Sequence, residues 1–254
     1  MCMIFSAILF KPSSSTLFFL VLAAFPSFIS GFFEDLTKSI SISVRLLSSL
    51  LVGVFFLIFF DTPITDYGFS FVNDISNIQF IGFILTCFAI ASLTQAFNII
   101  DGLNGLSIGT SVIILSTLSY LSLIYNKTLI FEVSTIITII LCGLLVFNFP
   151  RARIFVGDSG AYLMGSLIAM LSILFSESQN IVSPFCLLLI ILFPLYELAR
   201  SFTRRLIYLK KSPFRPDNKH LHSIFYNFFI EDIGMKNVNA NAISSIIVMI
   251  FPVL

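Results

Sequence analysis

Four short stretches carry nearly all the usable chemistry of this chain. They are Gly31-Phe-Phe-Glu34-Asp35, Asn98-Ile-Ile-Asp101-Gly-Leu-Asn104-Gly105, Phe155-Val-Gly-Asp158 and the basic segment from Arg200 to His222. Asp35, Asp101 and Asp158 offer hard oxygen ligands, and Mg²⁺ takes one or two carboxylates together with substrate phosphate oxygens. Asn98, Asp101 and Asn104 recur at every third residue, so on a helix they would form one polar stripe. The plainer account makes them caps at a helix end. Asp158 precedes an apolar run and alone would read as an N-cap. Just upstream, Asn148, Pro150, Arg151 and Arg153 add an amide and two cations, giving a loop suited to a pyrophosphate and a metal. Glu34-Asp35 beside Lys38 and Arg45 has a solvated helix end as its plain alternative. The two histidines, His220 and His222, follow Arg204, Arg205, Lys210, Lys211, Arg215 and Lys219. On an extended stretch they would face the same way, and on a helix they would not. A zinc site needs more ligands than this pair supplies, so the histidines and cations point to phosphate. The combined chemistry is metal-assisted transfer of a phosphoryl group, in which developing negative charge must be held.

These residues are set among very apolar elements. Hydrophobic residues make up 57% of the 254-residue chain and charged ones 11%, and the mean hydropathy is +1.04. A water-soluble fold of this size would need far more charge on its surface. The net charge of +1 gives no basic excess for nucleic acid, so none is expected as a partner. Tryptophan is absent and phenylalanine reaches 31, so any interfacial aromatic belt rests on Tyr and Phe. Cys2, Cys87, Cys142 and Cys186 fall in or beside apolar runs without ligand spacing, as buried free thiols do.

Apolar runs long enough to span a bilayer occur at about 16–33, 44–60, 79–97, 106–125, 130–147, 159–176, 182–199 and 239–254. A shorter one covers residues 1–10 and lacks the basic flank of a signal peptide. No alternating pattern supports a barrel, so the expected fold is all-α, a polytopic bundle of about 8–9 membrane helices in a single domain. Placing 34–45, 98–105, 148–158 and 200–238 on one side gives that side 12 of the 14 Lys and Arg, leaving Lys11 and Lys127 opposite. By the positive-inside rule the charged side is cytoplasmic. All four chemical stretches then meet at one membrane face, where a lipid could meet a charged soluble substrate. A transporter would instead place its polar groups near the bilayer midplane.

The motifs Asn98-x-x-Asp101-Gly-x-Asn104-Gly, Asn148-Phe-Pro…Phe155-Val-Gly-Asp158-Ser-Gly and Pro216-Asp…His220-Leu-His222 resemble those of the polyprenyl-phosphate N-acetylhexosamine-1-phosphate transferases. That superfamily includes the phospho-N-acetylmuramoyl-pentapeptide transferase. Gly31-Phe-Phe-Glu34-Asp35 followed by Val44-Arg45-Leu-Leu is similar to its first acidic motif, and the likeness runs from Gly31 to Tyr226. It implies transfer of a sugar-1-phosphate, GlcNAc-1-phosphate foremost, from a UDP-sugar to undecaprenyl phosphate with release of UMP. It further implies Mg²⁺, with Mn²⁺ as a substitute, and a cytoplasmic-facing site in the bacterial inner membrane. A homodimer is left open. Catalytic roles fall by position on Asp35, Asp101, Asp158, His220 and His222, with Asp158 and Asp101 at the metal. Asp35 is the acid read either as general base or as organiser of the lipid phosphate. Substrate contacts fall on Glu34, Asn98, Asn104 and Asn148, and on Phe155 stacked against uracil. Glu34 stands where most relatives carry Asp. Asn104 stands where the muramoyl-pentapeptide enzymes carry Asp, and His220-Leu-His222 replaces their three-histidine run. The last two departures favour an N-acetylhexosamine donor. The family's N-terminal helices and its Pro-Arg-Gly-rich loop are not seen in these 254 residues, so a shortened relative with a structural role is the alternative expectation.

Overall fold

A computed structural model describes residues 14–76, 78–178, 182–208 and 220–250, and among them there is no strand. The chain runs through α1 (Ser14–Thr37), α2 (Ile42–Phe60), α3 (Ser70–Ser76), α4 (Gln79–Ile100), α5 (Leu106–Ile124), α6 (Thr128–Asn148) and α7 (Gly157–Glu177). There follow α8 (Pro184–Ile190), α9 (Leu192–Thr203) with a π-turn at Arg204–Tyr208, α10 (Leu221–Glu231) and α11 (Asn237–Ile250). Helices α1, α2, α4, α5, α6 and α7 are each long and apolar enough to cross a membrane. The protein is a polytopic helical bundle.

Among the described residues the number of spans is six, or seven if α8 and α9 form one, against the eight or more expected of the whole chain. The run at 182–199 is broken by a 77° bend. Pro194 explains the break: it has no N–H to give the carbonyl of Ile190, and its ring crowds that carbonyl, so α8 ends there. The run at 239–254 yields only the 14-residue α11 among the described residues, too short to span by itself. The stretch 200–238, expected as a loop, contains α10. The short run at 1–10 lies outside the described residues.

Helix α7 is the hub. It packs against α1, α4, α5 and α6, and 72% of its most apolar window is buried. Ala161, Gly165, Ala169 and Ser172 recur at helical spacing, and in lipid such small residues let backbones approach closely. Several interior hydroxyls are satisfied inside their own helices, as where Thr94, Ser111 and Ser134 donate to carbonyls one turn back. The bundle delivers the C-terminal ends of α1, α4, α6 and α9 and the N-terminal ends of α2, α5 and α7 to one end of the molecule. At the opposite end, Thr65 bonds to Glu177 and Lys127 Nζ donates to the carbonyl of Ser178.

Candidate functional site

The N-terminus of α7 is held by a residue from another helix. Asp35, on the last turns of α1, accepts from the amide of Asp158 (2.9 Å) through Oδ1 and from the amide (3.1 Å) and hydroxyl (2.8 Å) of Ser159 through Oδ2. Orphan amides at a helix start carry partial positive charge, and a carboxylate satisfies both needs. Asp158 is therefore not the cap. Its side chain turns to Arg45 on α2, with Oδ2 3.3 Å from Nη1. The same Nη1 lies 3.7 Å from Glu34 Oε1, while Glu34 Oε2 accepts from the amide of Ile40 (2.9 Å). Gly157 sits at φ +68°, and a Cβ there would fall 2.5 Å from Asp35 Oδ2, so the turn into α7 requires glycine.

Asn98, Asp101 and Asn104 do not share a helical stripe, because α4 ends at Ile100 and residues 101–105 form a turn. Asp101 leaves the helix at φ −78°, ψ 47°, and its carboxylate accepts from the Ser107 hydroxyl at the start of α5. Burial pushes the Asp101 carboxyl up to about 6; the Ser107 bond opposes this, and the negative charges of Asp158 and Asp35 add to it. The three carboxylates thus feel one another. Asn148 is 5% exposed and ties two loops together: its Oδ1 accepts from the Gly105 amide (2.5 Å) and its Nδ2 donates to the Ile154 carbonyl (2.7 Å). Asn104 donates from Nδ2 to the Pro150 carbonyl (2.9 Å), and its amide donates to Asn241 Oδ1 (2.9 Å). Asn98 is half-buried on the last turn of α4. Phe155 is 78% exposed at the loop before α7, an aromatic face open to a planar ligand.

His220 is the N-cap of α10 and in extended backbone (φ −72°, ψ 155°), whereas His222 is inside the helix. The two rings nonetheless face the same way, stacked with centroids 5.4 Å apart and planes 5° from parallel. His222 Nε2 lies 2.2 Å from where a Cβ on Gly102 would be, so it packs directly on the Asp101 turn. Its charge is suppressed: burial draws the imidazole pKa down to about 4, His220 adds to the shift and Glu197 opposes it. Both Nδ1 atoms are buried without an aligned hydrogen-bond partner among the described residues. Lys210, Lys211, Arg215, Lys219 and the Pro216-Asp217 pair lie outside the described residues.

The structure accordingly brings Glu34, Asp35, Asp101, Asn104, Asn148, Asp158 and His222 to one end of the bundle. The first acidic motif, the Asp101 turn, the loop before α7 and the histidines become a single surface. Among the described residues no three His, Cys, Asp or Glu side chains close into a complete metal-ligand set. Carboxylates whose charges already oppose one another still fit a hard divalent cation, which would draw its remaining ligands from phosphate and water. The sequence reading gave no role to Ser107, Ser159 or Asn241, and none stands out by spacing. It left Arg45 and Glu197 unassigned, although Glu197 is a lone carboxylate in an apolar run, a signal that marks function in a membrane segment.

Residues 17–176 match the sequence model of glycosyl transferase family 4. Over 204 residues the chain is 32% identical to the undecaprenyl-phosphate alpha-N-acetylglucosaminyl 1-phosphate transferase of Thermotoga maritima, covering 80% of this chain and 60% of that protein. It is 30% identical over 205 residues to the probable undecaprenyl-phosphate N-acetylglucosaminyl 1-phosphate transferase of Bacillus subtilis, covering 80% and 56%. With the phospho-N-acetylmuramoyl-pentapeptide-transferase of Staphylococcus aureus it shares 28% over 141 residues, 56% of this chain and 43% of that one. The chain spans 60% or less of the length of each of these relatives.

Proposed function

Since this chain belongs to glycosyl transferase family 4, we propose that it transfers N-acetylhexosamine-1-phosphate, GlcNAc-1-phosphate foremost, from a UDP-sugar to undecaprenyl phosphate. The site then faces the cytoplasm at a bacterial inner membrane. One observation carries the reading: Asp35, Asp101, Asp158 and Arg45 come from four elements and meet where apolar spans end. A carboxylate cluster with its own cation at a lipid boundary suits two substrates that both carry phosphate and of which only one is membrane-bound. The relatives' names support the acceptor, a polyprenyl phosphate, and the GlcNAc-1-phosphate group.

In the proposed step an acceptor phosphate oxygen attacks the donor phosphorus that bears the sugar. The bond from that phosphorus to the bridging oxygen breaks, and the bridging oxygen leaves with UMP. Asp101 and Asp158 would hold Mg²⁺ or Mn²⁺, which when bound neutralises charge developing on the pyrophosphate. Arg45, beside Asp158, supplies a fixed cation to the same region. Asp35 acts as a positioning residue, because both of its oxygens are engaged by the start of α7 and an acceptor phosphate needs no base to attack. Phe155 offers its exposed ring to the uracil. His220 and His222 face the sugar-phosphate side, and Asn98 lines the donor side of the turn.

Membranes containing the protein, a polyprenyl phosphate and Mg²⁺ should exchange labelled UMP into UDP-GlcNAc. In competition, UDP-GlcNAc should be used in preference to UDP-muramoyl-pentapeptide. Preferential transfer from the larger donor would overturn the donor assignment. No exchange with any UDP-sugar, beside an active relative, would leave the structural role.

A further inference from the structure

Glu197 is 1% exposed in the bent span, and the reaction as proposed leaves it unused. A lone carboxylate in a membrane segment is costly to bury and is retained where a partner answers it. Its partners are informative. Oε2 lies 3.4 Å from His220 Nδ1 and accepts from the Leu221 amide (3.3 Å), while Oε1 lies 3.4 Å from Arg200 Nη1. One oxygen thus grips the first residues of α10, and the other is balanced by a cation one turn along α9. His220 in turn stacks in parallel on His222, whose ring fills the space above Gly102. A continuous chain of contacts leads from α9 through both histidines to the turn bearing Asp101.

We propose that Glu197 is a positioning residue that orients His220 and, through the ring stack, seats the His220–His222 pair against the Asp101 turn. A carboxylate facing Nδ1 sets which imidazole nitrogen is left for other work, here Nε2. In the neutral ring that nitrogen accepts, and it donates to a phosphate oxygen of the donor only when the ring carries its second proton, a use that rests on the function proposed above. The geometric claim about Glu197 stands apart from it.

Because the chain has only two histidines, diethyl pyrocarbonate modification of the full protein in detergent, read site by site from peptide masses, reports this pair alone. Glu197→Gln keeps an oxygen for the Leu221 amide and removes the charge facing His220. His220 should then be modified at least about tenfold faster at neutral pH, the order of effect of removing one charged side-chain contact from the ring. Glu197→Asp should restore part of the protection. Unchanged His220 reactivity in Glu197→Gln would overturn the proposal. Equal acceleration at His220 and His222 with an unfolding midpoint lowered as much would show a merely structural carboxylate. Where UMP exchange is measurable, Glu197→Gln should slow it, yet add no further loss in a His220→Ala background, since residues acting as one unit are non-additive. Multiplying losses would count against the assignment. If the parent exchanges no UMP, the function reading fails while the modification rates still decide the role of Glu197.

Discussion

Asp35 and Asp158 are adjacent in space and answer to different physics. Asp158 pairs with Arg45 while its own amide is capped by Asp35, so Asp158→Asn leaves the start of α7 satisfied. Its pair with Arg45 is partly solvated, so stability should change by about 1 kcal/mol or less. Turnover should fall about 10²–10³-fold, the usual consequence of removing one group that holds transition-state charge. Asp35→Asn places an amide N–H against a donor, which should cost about 1–3 kcal/mol of stability and lower activity with it. Thermal unfolding in detergent beside UMP exchange separates the two; a destabilised Asp158→Asn, or a stable but dead Asp35→Asn, would reverse the roles. Two opposed titrations follow from the same turn. His222 stays neutral down to about 4, so as pH falls below its unfolded value near 6.5 the unfolded chain takes a proton the fold refuses, and stability drops. Asp101, held at about 6, takes its proton before the unfolded carboxyl does, so stability rises as pH falls from about 6 toward 4. Each shift corresponds to about 3 kcal/mol, so in chelator the parent should show a shallow profile. Asp101→Asn should unmask a loss of stability toward acid and His222→Gln a gain, measured as the unfolding midpoint between pH 7 and 4.5.

The approach of α1 to α7 is what makes that site at the level of elements. A Cβ on Gly31 would lie 2.6 Å from the Ser159 Cα, a backbone atom that cannot swing aside. Gly31→Ala should therefore push α1 off the start of α7, lengthen the Asp35 bonds, and cost about 1–3 kcal/mol as overpacking does. A midpoint and an activity equal to the parent's would show that the two helices can part freely. The apolar runs that became α1, α2, α4, α5, α6 and α7 were readable because lipid demands about 20 apolar residues in a row. The bend before α9 was signalled only by Pro194, and α10 was hidden in a segment read for its charge. The site motifs were equally readable as residue types, but their roles were not. Asp35 caps a helix 123 residues away, and local sequence cannot say which acid at a helix start is the ligand and which the cap. Spacing of three suggested a stripe for Asn98, Asp101 and Asn104, yet the helix ends at Ile100, between Asn98 and Asp101.

For the whole molecule, the question is which side of the membrane the carboxylate end faces. Every described charged contact of the site lies at the end where α1, α4 and α6 finish, and the turn at residues 125–127 lies at the other. A transporter would require such groups along the spans, but here α5 has no Asp, Glu, Lys or Arg and α4 has none either. In the sequence, the stretches 34–45, 98–105, 148–158 and 200–238 hold 12 of the 14 basic residues, a bias that supports the proposed orientation of the site toward the cytoplasm. With Cys2, Cys87, Cys142 and Cys186 replaced, two single-cysteine reporters test this in sealed cells. Thr128→Cys, exposed at the start of α6, should react with an impermeant maleimide from outside. Phe155→Cys, at a position 78% exposed beside the start of α7, should react only once the membrane is opened. In opened membranes UDP should slow labelling at position 155 and leave position 128 unaffected, because only the first sits where a uracil is expected to stack. Labelling of both positions from outside would break the shared-face arrangement, and indifference of position 155 to UDP at any concentration would remove Phe155 from the donor site.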